Sequence, residues 1–209
     1  MLKNLKFLAR LMAYLQRIDP ATPLSPKLEP ELKDRMKDIS FRKKRQTLVT
    51  QDEKPGHAYF LLSGYVVVCY IDDKGEIRVV RIAFGEQIIA IDAFMQNKPS
   101  PYYIIAMREA VLISIDYDNM LAIYRDVPGV DELAVKTSAS YERLEKERDE
   151  LLNKSNRERV LEFYSDKPDL LPAKKSPLQD LYIASYLKMN IDTFRRVRNK
   201  LIAEGLLKV

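Results

Sequence analysis

The chain has 209 residues, 46% of them hydrophobic and 31% charged, with a formal net charge of +5. That length accommodates one large domain or two modest ones, and that apolar content excludes global disorder. A single cysteine, Cys69, and a single histidine, His57, exclude an intrachain disulfide and a thiolate-held iron–sulfur cluster. They also argue against zinc or iron, whose sites draw on several such ligands.

Residues 1–18 carry Leu5, Leu8, Leu11, Met12, Leu15 and Ile18 at helical spacing, with Lys and Arg between them. This predicts an amphipathic helix rather than a signal peptide. No apolar run approaches the roughly 20 residues of a membrane span, so a soluble cytoplasmic protein is expected. Residues 19–30 hold four prolines. Ser25 and Pro26 resemble an N-cap and a first helical position, and predict a second helix reaching about Asp38.

From Ser40 the hydrophobic period changes. Phe41, Leu48-Val49, residues 59–62, 65–71, 77–84 and 111–115 are short runs rich in β-branched and aromatic residues. Turn signals at residues 54–56, 63–64, 72–75 and 97–99 separate them, and the 72–75 loop predicts a hairpin. So many short strands imply an antiparallel barrel or sandwich. His57 lies within this stretch and reads as a surface residue. No Gly-x-Ser-x-Gly elbow accompanies it, no catalytic residue is indicated, and an enzyme is not expected.

After Asp116 the helical period returns, first at residues 119–124. A long polar helix then spans about Val130 to Asn153. Val130, Leu133, Thr137, Tyr141, Leu144, Arg148 and Leu151 form one narrow seam along it. Such a seam favours a second copy in a two-stranded arrangement, with packing on the protein's own barrel as the competing reading. Residues 156–164 predict another helix, and residues 166–177, with three prolines, a connector that has room for a short strand.

Charge is unevenly spread. Residues 153–209 hold 12 Lys and Arg against 7 Asp and Glu, and the rest of the chain is balanced, so the whole excess sits in the C-terminal segment. A basic segment beside a neutral body suits a polyanion. Within it, residues 180–201 read as a helix-turn-helix. Ala184 allows close helix crossing, and Ile183, Leu187, Met189, Phe194 and Val197 take buried positions. Asn190 is a plausible cap for the second helix. Asp192, Thr193, Arg195, Arg196, Arg198 and Lys200 are read as outward and DNA-facing, since Arg can bond guanine bidentately. The tight turn, where glycine is usual, holds Lys188.

Taken in order, several motifs resemble the Crp/Fnr family over nearly the whole length. They are Pro23-Leu-Ser-Pro26, Phe41-Arg-Lys-Lys44, Ala58-Tyr-Phe-Leu-Leu-Ser-Gly64, Phe84-Gly-Glu86, the long helix, Asp180-Leu-Tyr-Ile-Ala-Ser-Tyr-Leu187 and Asp192-Thr-Phe-Arg-Arg196. The resemblance implies an α+β protein. Residues 1–127 would be a β-roll (jelly-roll) effector domain, 128–153 a dimerisation helix and 154–209 a winged-helix-like DNA-binding domain. In the family a Glu and an Arg of the second helix read bases, and Asp192 and Arg196 stand at those positions.

Cyclic-nucleotide members carry a phosphate cassette that opens with Gly-Glu and closes with an Arg. Gly85 and Glu86 match the opening, while Ser100 falls where the Arg should be. Ser100 cannot supply a charge-assisted hydrogen bond, so cyclic AMP is not the expected ligand and no cofactor is expected. Gly85, Glu86 and Ser100 mark a candidate effector pocket, although the Gly-Glu pair is equally readable as a structural loop. A haem would need an axial ligand; His57 and Cys69 are the candidates, and nothing supports either. The family's hairpin wing is reduced here to residues 206–209, readable as one strand. The expected partners are double-stranded DNA, a second copy of the chain and RNA polymerase, with no membrane. The alternative is a ligand-binding module acting on a partner protein without DNA.

Overall fold

The structure is a computed structural model, and it describes residues 2, 4–41, 44–89, 92–172 and 176–208. Arg42 and Lys43 of the first β motif, and Val209, lie outside the described residues. The chain forms two compact units. The first comprises residues 1–68 and 83–142, and the second residues 69–82 and 143–209.

In the first unit, helix α1 (Leu5–Ile18) is capped by the Asn4 side chain, which accepts the Lys6 N–H at 3.1 Å. Leu8, Leu11 and Leu15 form its buried stripe. Helix α2 is Leu28–Arg35, shorter at both ends than the sequence suggests, and no side chain caps it. Its predicted last residues, including Asp38, instead open strand β1 (Lys37–Phe41), where Asp38 pairs with Ile113. A long-range ladder outweighs local helix propensity there.

Seven more strands follow: β2 (Gln46–Val49), β3 (His57–Ser63), β4 (Tyr65–Ile71), β5 (Ile77–Phe84), β6 (Gln87–Ile89), β7 (Tyr103–Ala106) and β8 (Ala110–Asp116). Helix α3 (Asp92–Met95) lies between β6 and β7. Two four-stranded sheets result, ordered β1-β8-β3-β6 and β2-β7-β4-β5. Strand β3 shows how period-two patterning serves both faces. Tyr59 and Leu61 join the cluster between the sheets, with Val49, Val66, Ile89, Ile104 and Leu112. Ala58, Phe60 and Leu62 join the helix-covered cluster, with Leu8, Leu11, Leu28 and Leu32. Gly64 turns β3 into β4 at φ +82°, and a Cβ there would lie 2.7 Å from the Ala110 Cα, so only glycine fits. His57 is half-buried at the start of β3, with its ring 6.1 Å from that of Tyr59, rather than fully on the surface.

Asp116 caps helix α4 (Tyr117–Asp126) by accepting the Asn119 N–H at 3.0 Å. Helix α5 (Val130–Leu152) matches its predicted span to one residue. Much of its seam is used within the chain. Val130 and Leu133 belong to the helix-covered cluster, Thr137 is buried, and the Tyr141 hydroxyl donates to the Ile88 carbonyl. Of the two readings of that stripe, packing on the protein's own β-roll accounts for its first half.

The second unit holds the tip of the β4–β5 hairpin, the end of α5, and helices α6 (Asn156–Asp166), α7 (Asp180–Tyr186) and α8 (Ile191–Ala203). Ser155 and Glu158 form a capping box at the start of α6. The connector holds a 3-10 turn, Pro168–Leu170, and no strand among its described residues. Residues 206–208 likewise form no strand. No helix among the described residues is long and apolar enough to cross a membrane.

Candidate nucleic-acid interface

Helices α7 and α8 fall on the two helices predicted within residues 180–201, and their junction is set by backbone hydrogen bonds. The Lys188 N–H donates to the Ser185 carbonyl at 3.1 Å, and the Met189 N–H to the Ala184 carbonyl at 2.9 Å. This is a Schellman ending, with Lys188 in the left-handed region at φ +52°. Asn190 then caps α8, its side chain accepting the Asp192 N–H at 2.9 Å. Ile183, Ala184, Leu187 and Phe194 are buried, while Met189 and Val197 are half-buried.

Along α8, Asp192, Arg195, Arg196 and Lys200 are exposed and Thr193 is half-buried. Arg198 corrects the sequence reading: it faces inward and is 6% exposed. Its Nη2 donates to Asp180 Oδ2 at 3.2 Å, its Nη1 donates to Asp180 Oδ1 and to the Tyr164 hydroxyl, and its guanidinium lies 5.1 Å from the Phe194 ring centroid. Helical spacing explains the misplacement. Arg198 lies four residues after Phe194 and therefore on the same buried face. Arg195 is also engaged, donating from Nε to Asp180 Oδ2 at 2.8 Å, with half its side chain in solvent. Burial pushes the Asp180 carboxyl up, but the hydrogen bonds from Arg198 and Arg195 outweigh it and hold the group below the usual carboxylate range. Sequence reasoning missed Asp180 as their shared anchor, because the pairs are 15 and 18 residues apart.

A second missed pair ties α7 to the β4–β5 hairpin within the same unit. The Ser185 hydroxyl donates to the Ile77 carbonyl at 2.8 Å and accepts the Val79 N–H at 2.9 Å. Arg148 Nη2 donates to the carbonyls of Val79 at 3.1 Å and Tyr186 at 3.0 Å, with its guanidinium 4.9 Å from the Tyr186 ring centroid. Strand β5 is the outer strand of its sheet, so these side chains close an otherwise open edge.

The candidate effector residues belong to the first unit. Gly85 turns β5 into β6 at φ +64°. Glu86 accepts from Arg10 Nε at 2.7 Å and Arg17 Nη2 at 2.5 Å, and these two bonds hold its carboxyl below the usual range. A ligand hydroxyl would compete with two guanidinium groups for that carboxylate. Ser100 is fully buried. Its hydroxyl donates to the Tyr102 carbonyl at 2.9 Å and accepts the Tyr102 N–H at 3.1 Å. The three residues thus serve a turn, an anchor for α1 and a local loop bond.

Residues 40–126 match the model of the cyclic nucleotide-binding domain. Among curated proteins none matches the chain in sequence. Solved structures share the fold across most of the chain. FixK2 from Bradyrhizobium japonicum is 18% identical with a TM-score of 0.65, over 81% of this chain and 86% of its own. A Crp-family transcriptional regulator from Thermus thermophilus is 18% identical with a TM-score of 0.61, over 82% and 87%. A protein from Eubacterium rectale, described as a Crp/Fnr-family regulator, is 17% identical with a TM-score of 0.69, over 89% and 87%. The fold is thus of the Crp/Fnr type, a β-roll with a helical unit. Within residues 40–126, Ser100, where the resemblance expects the cassette's cation, is buried and bonded to Tyr102.

Proposed function

We propose that the chain is a homodimeric, sequence-specific DNA-binding regulator of transcription that works in the cytoplasm. The observation that carries this is the exposed face of α8, where Asp192, Arg196 and Lys200 stand on a capped helix of a helix-turn-helix. Asp192, Thr193 and Arg196 read base edges in the major groove, and Arg195 and Lys200 hold phosphates. Arg198 supports that surface from behind and makes no base contact. Residues 1–127 act as the effector domain, 128–153 as the dimerisation helix and 154–209 as the DNA-binding domain. RNA polymerase is the protein partner. The signal is not cyclic AMP, because Ser100 has no charge for the phosphate and its hydroxyl is already committed.

Competition between a selected operator and random DNA tests the reading. Arg196→Ala is expected to lower discrimination by about 1–3 kcal/mol, the worth of one bidentate base contact. Discrimination equal to that of the wild type would refute it.

A further inference from the structure

The helix-covered side of the β-roll is not completely filled. A cavity of about 290 Å³ lies within the first unit, bounded by α1, α2, α4, the start of α5 and the outer face of β3. It exists because two small side chains, Ala58 on β3 and Ala134 on α5, line it where larger ones would close it. Its floor is formed by Leu11, Leu28, Leu32 and Phe60, all at most 5% exposed. Met95, 38% exposed, and Val135, 70% exposed, stand at its rim beside Ser138 and Gln96.

The chemistry of the wall is one-sided. No Asp, Glu, Lys or Arg is among the described residues that line it. Its Thr137 hydroxyl already donates to the Leu133 carbonyl at 2.8 Å, and its Tyr141 hydroxyl donates to the Ile88 carbonyl. A phosphate or carboxylate would lose its hydration there with no cation in return. An apolar cavity of roughly 150 Å³ holds a single benzene ring, and small-molecule sites begin near 300 Å³. We infer that this cavity is a binding site for an uncharged, largely apolar small molecule of two to three rings or equivalent chain length. It is separate from Gly85, Glu86 and Ser100, none of which lines it. The inference does not depend on DNA binding.

Titration of the full chain with N-phenyl-1-naphthylamine, a neutral probe that brightens in apolar surroundings, tests it. The expected result is saturable binding of one probe per chain, with a rise in melting temperature and no displacement by excess cyclic AMP. Ala134→Trp should fill the cavity and Ser138→Trp should close its mouth. Each should weaken binding at least tenfold while the far-ultraviolet circular dichroism is unchanged. Ser138 is exposed, so its variant remains informative if Ala134→Trp folds poorly. Binding without saturation, or binding equal to wild type in the folded Ser138→Trp variant, would overturn the site. So would probe binding that falls as chain concentration rises, because a second copy would then fill the cavity. DNA affinity measured on the same samples reports on the proposed function separately.

Discussion

Asp180 shows how one side chain can decide which cations of α8 are available. Its two oxygens take bonds from Arg198, which is buried, and from Arg195, which is not. Hydrogen bonds to charged groups are each worth about 1.5–3 kcal/mol, and a buried cation left without its partner costs more than an exposed one. Asp180→Asn is therefore expected to destabilise the helical unit by about 2–3 kcal/mol in urea denaturation at neutral pH. The pH dependence has a definite sign. The folded-state pKa of Asp180 is lowered, so its contribution is complete above the unfolded value and is lost as pH falls through the folded one. The stability gap between wild type and variant should thus narrow below about pH 4 and stay constant at neutral pH. A gap that widens in acid would show that the carboxylate is not the stabilising form.

At the scale of elements, the α7–α8 turn and the β5 edge each follow from few atoms. Lys188 adopts φ +52° because the Schellman bonds require it, although a side chain with a Cβ resists that region. Lys188→Gly removes that strain and returns part of the gain as unfolded-chain entropy, so a net stabilisation of about 0.5–1 kcal/mol is expected from thermal unfolding. The β5 edge would otherwise leave the backbone polar groups of Val79 unmatched, and Val79 is 2% exposed. Ser185→Ala removes the acceptor for the Val79 N–H. Hydrogen exchange at that amide should accelerate about tenfold, the equivalent of one hydrogen bond of roughly 1.4 kcal/mol. Exchange at β3 amides in the first unit should not change. These contacts tie the hairpin tip to α7 in one compact unit, which makes the tip part of the scaffold of α7 and α8.

For the whole molecule, the proposed dimer has a geometric consequence. Two α8 helices reading successive major grooves need half-sites about 10–10.5 base pairs apart, centre to centre. Adding five base pairs between the half-sites turns one helix to the opposite side of the duplex. Affinity should then fall to that of a single half-site, as read by titration of a labelled duplex. Undiminished affinity for the lengthened site would be incompatible with the proposed arrangement.

Much of this protein is legible in the residues alone. Strands β4 and β5 fall on the predicted runs, and α5 ends within one residue of its prediction, because hydrophobic period and turn residues are local signals. The α7–α8 pair follows from the spacing of Ala184, Asn190 and Phe194 for the same reason. Short strands β6 and β7 carry too few residues to show a period, and β1 is a strand only because β8 lies beside it. The inward turn of Arg198 follows from its spacing to Phe194, but its partner Asp180 lies 18 residues earlier and no local pattern announces it. The commitment of Ser100 to Tyr102, of Glu86 to Arg10 and Arg17, and the cavity beneath Ala134 also exist only once the layers are packed. Sequence by itself determined the long elements, α8 with its cap among them, through periodicity and capping. Tertiary structure alone decided which charges are consumed internally and where space is left, because both depend on contacts between residues remote in the chain.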